Sequence, residues 1–400
     1  MRQFFKFFFA ALAAIFTFCF LAFIILFAMA MIGASSGKSD ATKSNSILVM
    51  DMNDAINEQS IENSFAAFSG GEGNSTGLND IVNSIYAAKE DSKIKGIYIK
   101  LGMNPNGWAT LFELRNALED FKTSKKFIYA YGEICDQKSY YIGNVADSIF
   151  INPHGAMELK GLSIVGTFYK GAIDKMGIEA TGFHCGKYKG AHEPFSFEKF
   201  SEANRFQLQT LLNEMDSVFI NSVAQKSKKS FAEIKNMANN LTIKFPNDAV
   251  ANKLIDGVRF GSEVDDLFRQ KLNITDAKKK INFTSISNYS SDAESKYKGK
   301  DKIAILYAEG AIADGSGDDG IFSEDMVKQI RKIKNNDAVK AVVLRVNSPG
   351  GSALASEIIY NELMLLNKVK PITVSMGDYA ASGGYYIACA GNKIFADPNT

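Results

Sequence analysis

The feature that most constrains this 400-residue chain is that it contains itself twice. Laid on itself at an offset of 245 residues, "KIKGIYIKLGMNPNG" (93–107) falls on "AVKAVVLRVNSPGGS" (338–352), and "YGEICDQKSYYIGNVADSIFINPHG" (131–155) falls on "MGDYAASGGYYIACAGNKIFADPNT" (376–400). No gap is needed: Lys95 meets Lys340, Gly132 meets Gly377, Tyr141 meets Tyr386 and Pro153 meets Pro398. A repeat this long is one duplicated folding unit and too long for a solenoid. Each unit reads strand, turn, helix, strand. In the second, 341–346 is apolar and mostly β-branched, Asn347-Ser348-Pro349-Gly350-Gly351 is a turn, and Ser352 is placed to cap a helix running to about Leu366, before the next strand at 372–376. That alternation predicts parallel β–α–β units and an α/β fold.

The N-terminus adds a segment of another kind. Residues 7–32 are apolar except for Thr17, and Arg2 and Lys6 precede them. A helix of that length, at about 1.5 Å per residue, spans a hydrocarbon core of about 30 Å, whereas the apolar part of a cleaved signal peptide is about 7–15 residues. The segment therefore predicts an uncleaved transmembrane anchor. Positive charge before it, and none after it until Lys38, predicts a cytoplasmic tail at 1–6 and a body on the far side of the membrane. Polar tracts at 33–46 and 287–301 read as linkers, which sets the first copy at 47–286 and the second at 302–400. A formal net charge of +1 argues against a nucleic-acid partner. The four cysteines, Cys19, Cys135, Cys185 and Cys389, lack the spacing of a metal site or a disulfide framework.

The copies differ where chemistry would sit. Ser382, flanked by Ala380-Ala381 and Gly383-Gly384, falls on Gln137, and Pro349-Gly350-Gly351 falls on Asn104-Pro105-Asn106. Small neighbours leave a serine hydroxyl approachable, so Ser382 is a candidate nucleophile, and the first copy reads as a lapsed half-site. Backbone N–H groups of Gly350, Gly351 and Gly383, near helix N-termini, are the candidate oxyanion donors. A base is harder to find, because the only histidines, His154, His184 and His192, all lie in the first copy. A lysine kept neutral against an apolar wall can serve instead. "GKYKGAHEPFSF" (186–197) offers Lys187 and Lys189, with Tyr188 and Pro194-Phe195 as apolar cover, and with His192 as a histidine alternative.

"GKYKGAHEPF", "RVNSPGGS" and "AASGGYY", in this order on a tandem repeat, resemble the signal peptide peptidase A (protease IV) family in its long, duplicated, membrane-anchored form. The resemblance implies tandem domains similar to ClpP and crotonase after the anchor, and a Ser/Lys dyad in which Ser382 is the nucleophile and Lys189 the general base. The oxyanion glycine falls on the Gly350-Gly351 pair. Peptide substrates such as released signal-peptide remnants, a homotetrameric assembly, the inner membrane with a periplasmic body, and no metal or cofactor are also implied. Two other functions stay open: a crotonase-type acyl-CoA enzyme, against which the anchor counts, and a noncatalytic membrane scaffold. Much more chain follows Gly155 than follows its counterpart Thr400, so a fragment of a longer protein is expected.

Overall fold

The computed structural model describes residues 2–36, 42–61, 75–276, 278–293 and 299–400. Parts of the two expected linkers, 37–41 and 294–298, lie outside the described residues. Helix α1 (Arg2–Ser36) is one unbroken run of 35 residues. An 18-residue window within Arg2–Ile25 has a mean hydropathy of 2.7, and none of that window is buried against the body. The helix is long and apolar enough to cross a membrane, and it fits a single-pass anchor.

Two large parallel sheets follow, as the repeat predicts, with a small two-stranded one pairing Ile312–Ala313 with Ile321–Phe322. The first contains β1 (Ser46–Asp51), β2 (Ile94–Lys100), β3 (Phe127–Cys135), β4 (Ser148–Met157), β5 (Gly257–Val258) and β6 (Asn282–Ser285), in the order β5-β4-β3-β2-β1-β6. The second contains β7 (Lys302–Glu309), β8 (Val339–Ser348), β9 (Ile372–Ala380) and β10 (Lys393–Phe395), in the order β10-β9-β8-β7. Helices α2 (Leu78–Glu90), α3 (Trp108–Lys122), α4 (Gln137–Gly143) and α5 (Glu202–Ser227) cover one face of the first sheet. A further helix, α6 (Gly261–Lys271), covers its other face by packing Val264, Phe268 and Leu272 on Ile47, Tyr129, Tyr131 and Phe150.

In the second copy α7 (Ser323–Lys334), α8 (Ala353–Asn367) and α9 (Gly383–Ala388) take the places of α2, α3 and α4. The core forms because Val342, Leu344, Ile372 and Val374 project from the sheet towards Ile359, Leu363 and Leu366 of α8, all nearly or fully buried. Alternate residues of each strand face the same side, so strand pattern and helix stripe meet.

The repeat is not quite gapless in space. Ile97 pairs with Ile128, but its counterpart Val342 pairs with Ile372 instead of Thr373. The burial pattern agrees: Ile128 and Ile372 face the two equivalent cores. A one-residue slip reverses which face every side chain of a strand occupies, so the second copy has shifted β9 by one and regained the original offset by α9. The first unit also runs past 286: the helix Ile286–Ala293 places Tyr289 in the first core, where its hydroxyl meets Asp91.

Candidate active site

The second copy presents Ser382 at the C-terminal end of β9. Before the serine the chain is held by its neighbour strand, with Tyr379 N donating to Asn347 Oδ1 at 3.1 Å and Ala381 N to the Ser348 carbonyl at 3.0 Å. Ser382 then turns at φ 49°, ψ −119°, and α9 begins at Gly383. Such backbone angles are rare for a residue with a side chain and cost about 1–3 kcal/mol, so the surroundings must enforce them. The side chain is exposed and its hydroxyl makes no hydrogen bond among the described residues.

The Pro349-Gly350-Gly351 turn lies directly against this serine. Gly350 has φ 92°, and a Cβ on it would come within 2.7 Å of Ser382 Cβ and 2.5 Å of Gly383 N. Only glycine fits there on both counts. The N–H of Gly350 is already used, donating to buried Ser348 Oγ at 3.1 Å, while Ser348 donates to the Gly310 carbonyl at 2.6 Å. The N–H groups of Gly351 and Gly383 have no protein acceptor among the described residues. They lie close together, since a Cβ on Gly383 would be 3.4 Å from Gly351 N. Two unspent donors beside an exposed hydroxyl, at the starts of α8 and α9, suit a developing oxyanion.

The first copy holds no such arrangement. Gln137, opposite Ser382 in the repeat, is buried, and its Oε1 accepts from Lys160 N at 2.8 Å. Asn106 fills its own turn, accepting from Ile56 N at 2.8 Å and donating to the Asp54 carbonyl at 3.0 Å. These side chains do structural work where the second copy leaves space.

Lys189 lies on an exposed loop of the first copy, just before the short turn Gly190–His192. The loop is fastened to α5: Glu193 accepts from Ser201 N at 3.1 Å, Ser201 Oγ at 2.5 Å and Asn204 Nδ2 at 2.9 Å, and Gln207 Nε2 donates to the Tyr188 carbonyl at 2.9 Å. Burial raises the Glu193 pKa, but the Ser201 and Asn204 hydrogen bonds outweigh it and hold the carboxyl below its usual range. The apolar cover expected over Lys189 goes elsewhere, because the Tyr188 ring lies under the Lys187 ammonium at 5.1 Å. His184 and His192 stack on each other at 4.3 Å, and His154 sits on β4. Among the described residues no hydrogen bond or ion pair joins Ser382 to Lys189 or to any histidine.

Sequence reasoning missed a charged cluster where the two copies meet. Arg345, buried on β8, donates to Glu58 Oε2 at 2.8 Å and Oε1 at 3.2 Å, and pairs with Glu113 at 2.7 Å. It also donates to Ser375 Oγ at 2.8 Å and the Met376 carbonyl at 3.3 Å, which ties β9 to the cluster. Burial raises the carboxyls of Glu58, Glu113 and Asp397 against the lowering effect of Arg345, and Glu113 and Asp397 hydrogen-bond to each other. The signal was one charge in an otherwise apolar strand, "AVVLRV".

The model of peptidase family S49 matches residues 120–275 and 364–400, segments that contain Lys189 and Ser382 respectively. The chloroplastic serine protease SPPA of Arabidopsis thaliana is 32% identical over 80% of this chain and 48% of its own length. Protease 4 of Haemophilus influenzae is 33% identical over 80% of this chain and 54% of its own. The chain thus spans about half the length of these curated relatives. Among solved structures, a 1510-N membrane-bound stomatin-specific protease aligns with 60% of this chain and 97% of its own at 14% identity, with a TM-score of 0.32, too slight a likeness to add weight. By its family match and by these relatives, the chain is similar to members of peptidase family S49.

Proposed function

We propose that this chain forms a membrane-anchored serine endopeptidase of the signal peptide peptidase A type, working through a Ser382/Lys189 dyad. The observation that carries the reading is the Ser382 turn: an exposed serine on an enforced backbone, beside two unspent N–H donors. In the reaction Ser382 Oγ attacks the scissile carbonyl and passes its proton to a neutral Lys189 amine. The N–H groups of Gly351 and Gly383 receive the oxyanion, while Gly350 shapes the turn. The lysine then returns the proton to the leaving amine, and water repeats the sequence on the acyl-enzyme.

A neutral lysine requires desolvation, which the exposed loop does not supply by itself. In this reading Lys189 becomes a base when its loop docks against a second-copy domain and is thereby buried, which makes assembly a condition of activity. A homotetramer, a cytoplasmic N-terminus, a periplasmic body in the inner membrane and signal-peptide remnants as substrates complete the proposal by family likeness.

The test uses the full-length protein. A fluorophosphonate should label it and a peptide substrate should be cleaved, with both signals lost in Ser382→Ala. Lys189→Ala and Lys189→Arg should both abolish turnover, since arginine cannot accept the proton, whereas Lys187→Ala and His192→Ala should retain most of it. An active Lys189→Arg with a dead His192→Ala would replace the lysine with a histidine. Labelling that survives Ser382→Ala would leave the scaffold or acyl-CoA readings standing.

A further inference from the structure

The turn that lost its chemistry in the first copy has acquired a different occupant. The N-cap of helix α3 is Gly107, which has no side chain to cap it. Its counterpart Ser352 caps α8 from within the same copy, accepting from Ala355 N at 3.2 Å. The missing cap of α3 comes from the other copy. Asp378, on β9 and four residues before Ser382, accepts from Ala109 N at 2.8 Å and Thr110 N at 3.1 Å through Oδ1, and from Thr110 Oγ1 at 2.7 Å through Oδ2. The fit needs glycine at 107, because a Cβ there would run into the Asp378 carboxylate. A carboxylate at a helix start is favoured by the unpaired N–H groups and by the dipole.

This contact is one of a series along the end of β9. Arg345 holds Ser375 and Met376, a Cβ at Gly377 would come within 2.5 Å of Glu58 Oε1, Asp378 reaches α3, and Asn347 holds Tyr379 N. The strained Ser382 follows at once. Two of these ties, through Glu58 and α3, come from the first copy, which also bears Lys189.

We propose that Asp378 is a positioning residue for the serine: by capping α3 of the first copy it fixes the end of β9, and Ser382 with it, relative to the copy that carries Lys189. The proposal rests on the reading of Ser382 as nucleophile. Misplacing a reacting group by about 1 Å costs up to about a hundredfold in rate. Asp378→Ala in the full-length protein should therefore lower kcat by about ten- to a hundredfold with little change in KM, and Asp378→Asn, which keeps an acceptor oxygen, should fall between it and the wild type.

A mere helix cap would behave differently in the double variant Asp378→Ala/Gly107→Asp. Gly107 has the extended backbone of an N-cap, so aspartate there recaps α3 from its own copy once the Asp378 carboxylate is gone. The melting temperature should recover while kcat stays low. Hydrogen exchange at the Tyr379 and Ala381 amides should be faster in Asp378→Ala and remain so in the double variant. Recovery of kcat and exchange together with stability would reduce Asp378 to a cap and overturn the proposal, as would an Asp378→Ala enzyme with normal kcat. If the wild type neither cleaves peptide nor takes the fluorophosphonate, the nucleophile reading fails by itself. The exchange measurement then decides the latch: unchanged rates in Asp378→Ala overturn it, and persistently faster rates support it.

Discussion

Replacing Ser382 by glycine and by alanine separates the two demands placed on this position. Both changes remove the proposed nucleophile, so both should abolish labelling and turnover, but only glycine removes the Cβ that makes φ 49°, ψ −119° expensive. That conformation costs about 1–3 kcal/mol for a residue with a side chain. Glycine returns about 0.5–1 kcal/mol of this as extra freedom in the unfolded chain. Losing the hydroxyl adds nothing on either side, since it is exposed and makes no hydrogen bond among the described residues. The net expectation is that Ser382→Gly is more stable than Ser382→Ala by about 0.5–2 kcal/mol. Urea denaturation of the full-length variants, followed by far-UV circular dichroism, reads the difference as a shift in midpoint at unchanged slope. A glycine variant no more stable than the alanine variant would show that the turn is relaxed, and that the serine is not held under strain.

Gln137→Ala should leave turnover nearly unchanged yet lower stability by about 1–3 kcal/mol, because Lys160 N would lose its acceptor at 2.8 Å; a loss of activity equal to that of Ser382→Ala would mean the repeat was misread. Arg345→Met should cost about 3–5 kcal/mol, since it strands Glu58 and Glu113 at the boundary between the copies, and a urea midpoint close to wild type would refute the clamp. The raised carboxyls of Glu58, Glu113, Glu309 and Asp397 predict a pH dependence of definite sign. Between their unfolded values and the higher folded ones the native state binds more protons, so this contribution to stability is present at acid pH and is lost as pH rises through that window. Lowered groups such as Glu193 and Glu362 run the other way, so the test is differential: Glu113→Gln should flatten the fall in urea midpoint with rising pH relative to wild type, and an identical slope would refute the assignment.

The duplication, the parallel α/β class and the placement of Ser382 after a strand were legible because they rest on local patterns repeated twice. A β-branched run, a proline-glycine turn and an apolar helix stripe each point to one conformation, and they agree with one another. The slip of β9 was not legible, because the sequence match runs through this strand without a gap, Gly132 on Gly377 and Glu133 on Asp378; the pairing with Val342 and the burial of Ile372 decide it. Arg345 could have been singled out as a charge in a buried strand, but its partners Glu58 and Glu113 lie 287 and 232 positions away and carry no motif. Asp378 stands inside the stretch that identified the serine, and its meaning depends on Gly107, whose lack of a side chain reads in sequence as an ordinary turn.

The two copies have therefore diverged in complementary directions, and each change makes sense only with its partner. A nucleophile at 382, as proposed, needs empty space and free N–H groups around it, and the second copy has glycines at 350 and 351 and caps α8 with Ser352 from within. In the proposed function the first copy has no reaction to accommodate. Its turn is filled by Asn106, its serine position is a buried Gln137 that pins Lys160, and the start of α3 is free to receive Asp378 from the other copy. The turn that the proposed function leaves without chemistry is a foothold for the strand that ends at Ser382. Two identical copies could not make this contact, because the second copy carries Ser352 where the first has Gly107, and a Cβ at that position would run into the carboxylate; the divergence of the two turns is what makes room for Asp378.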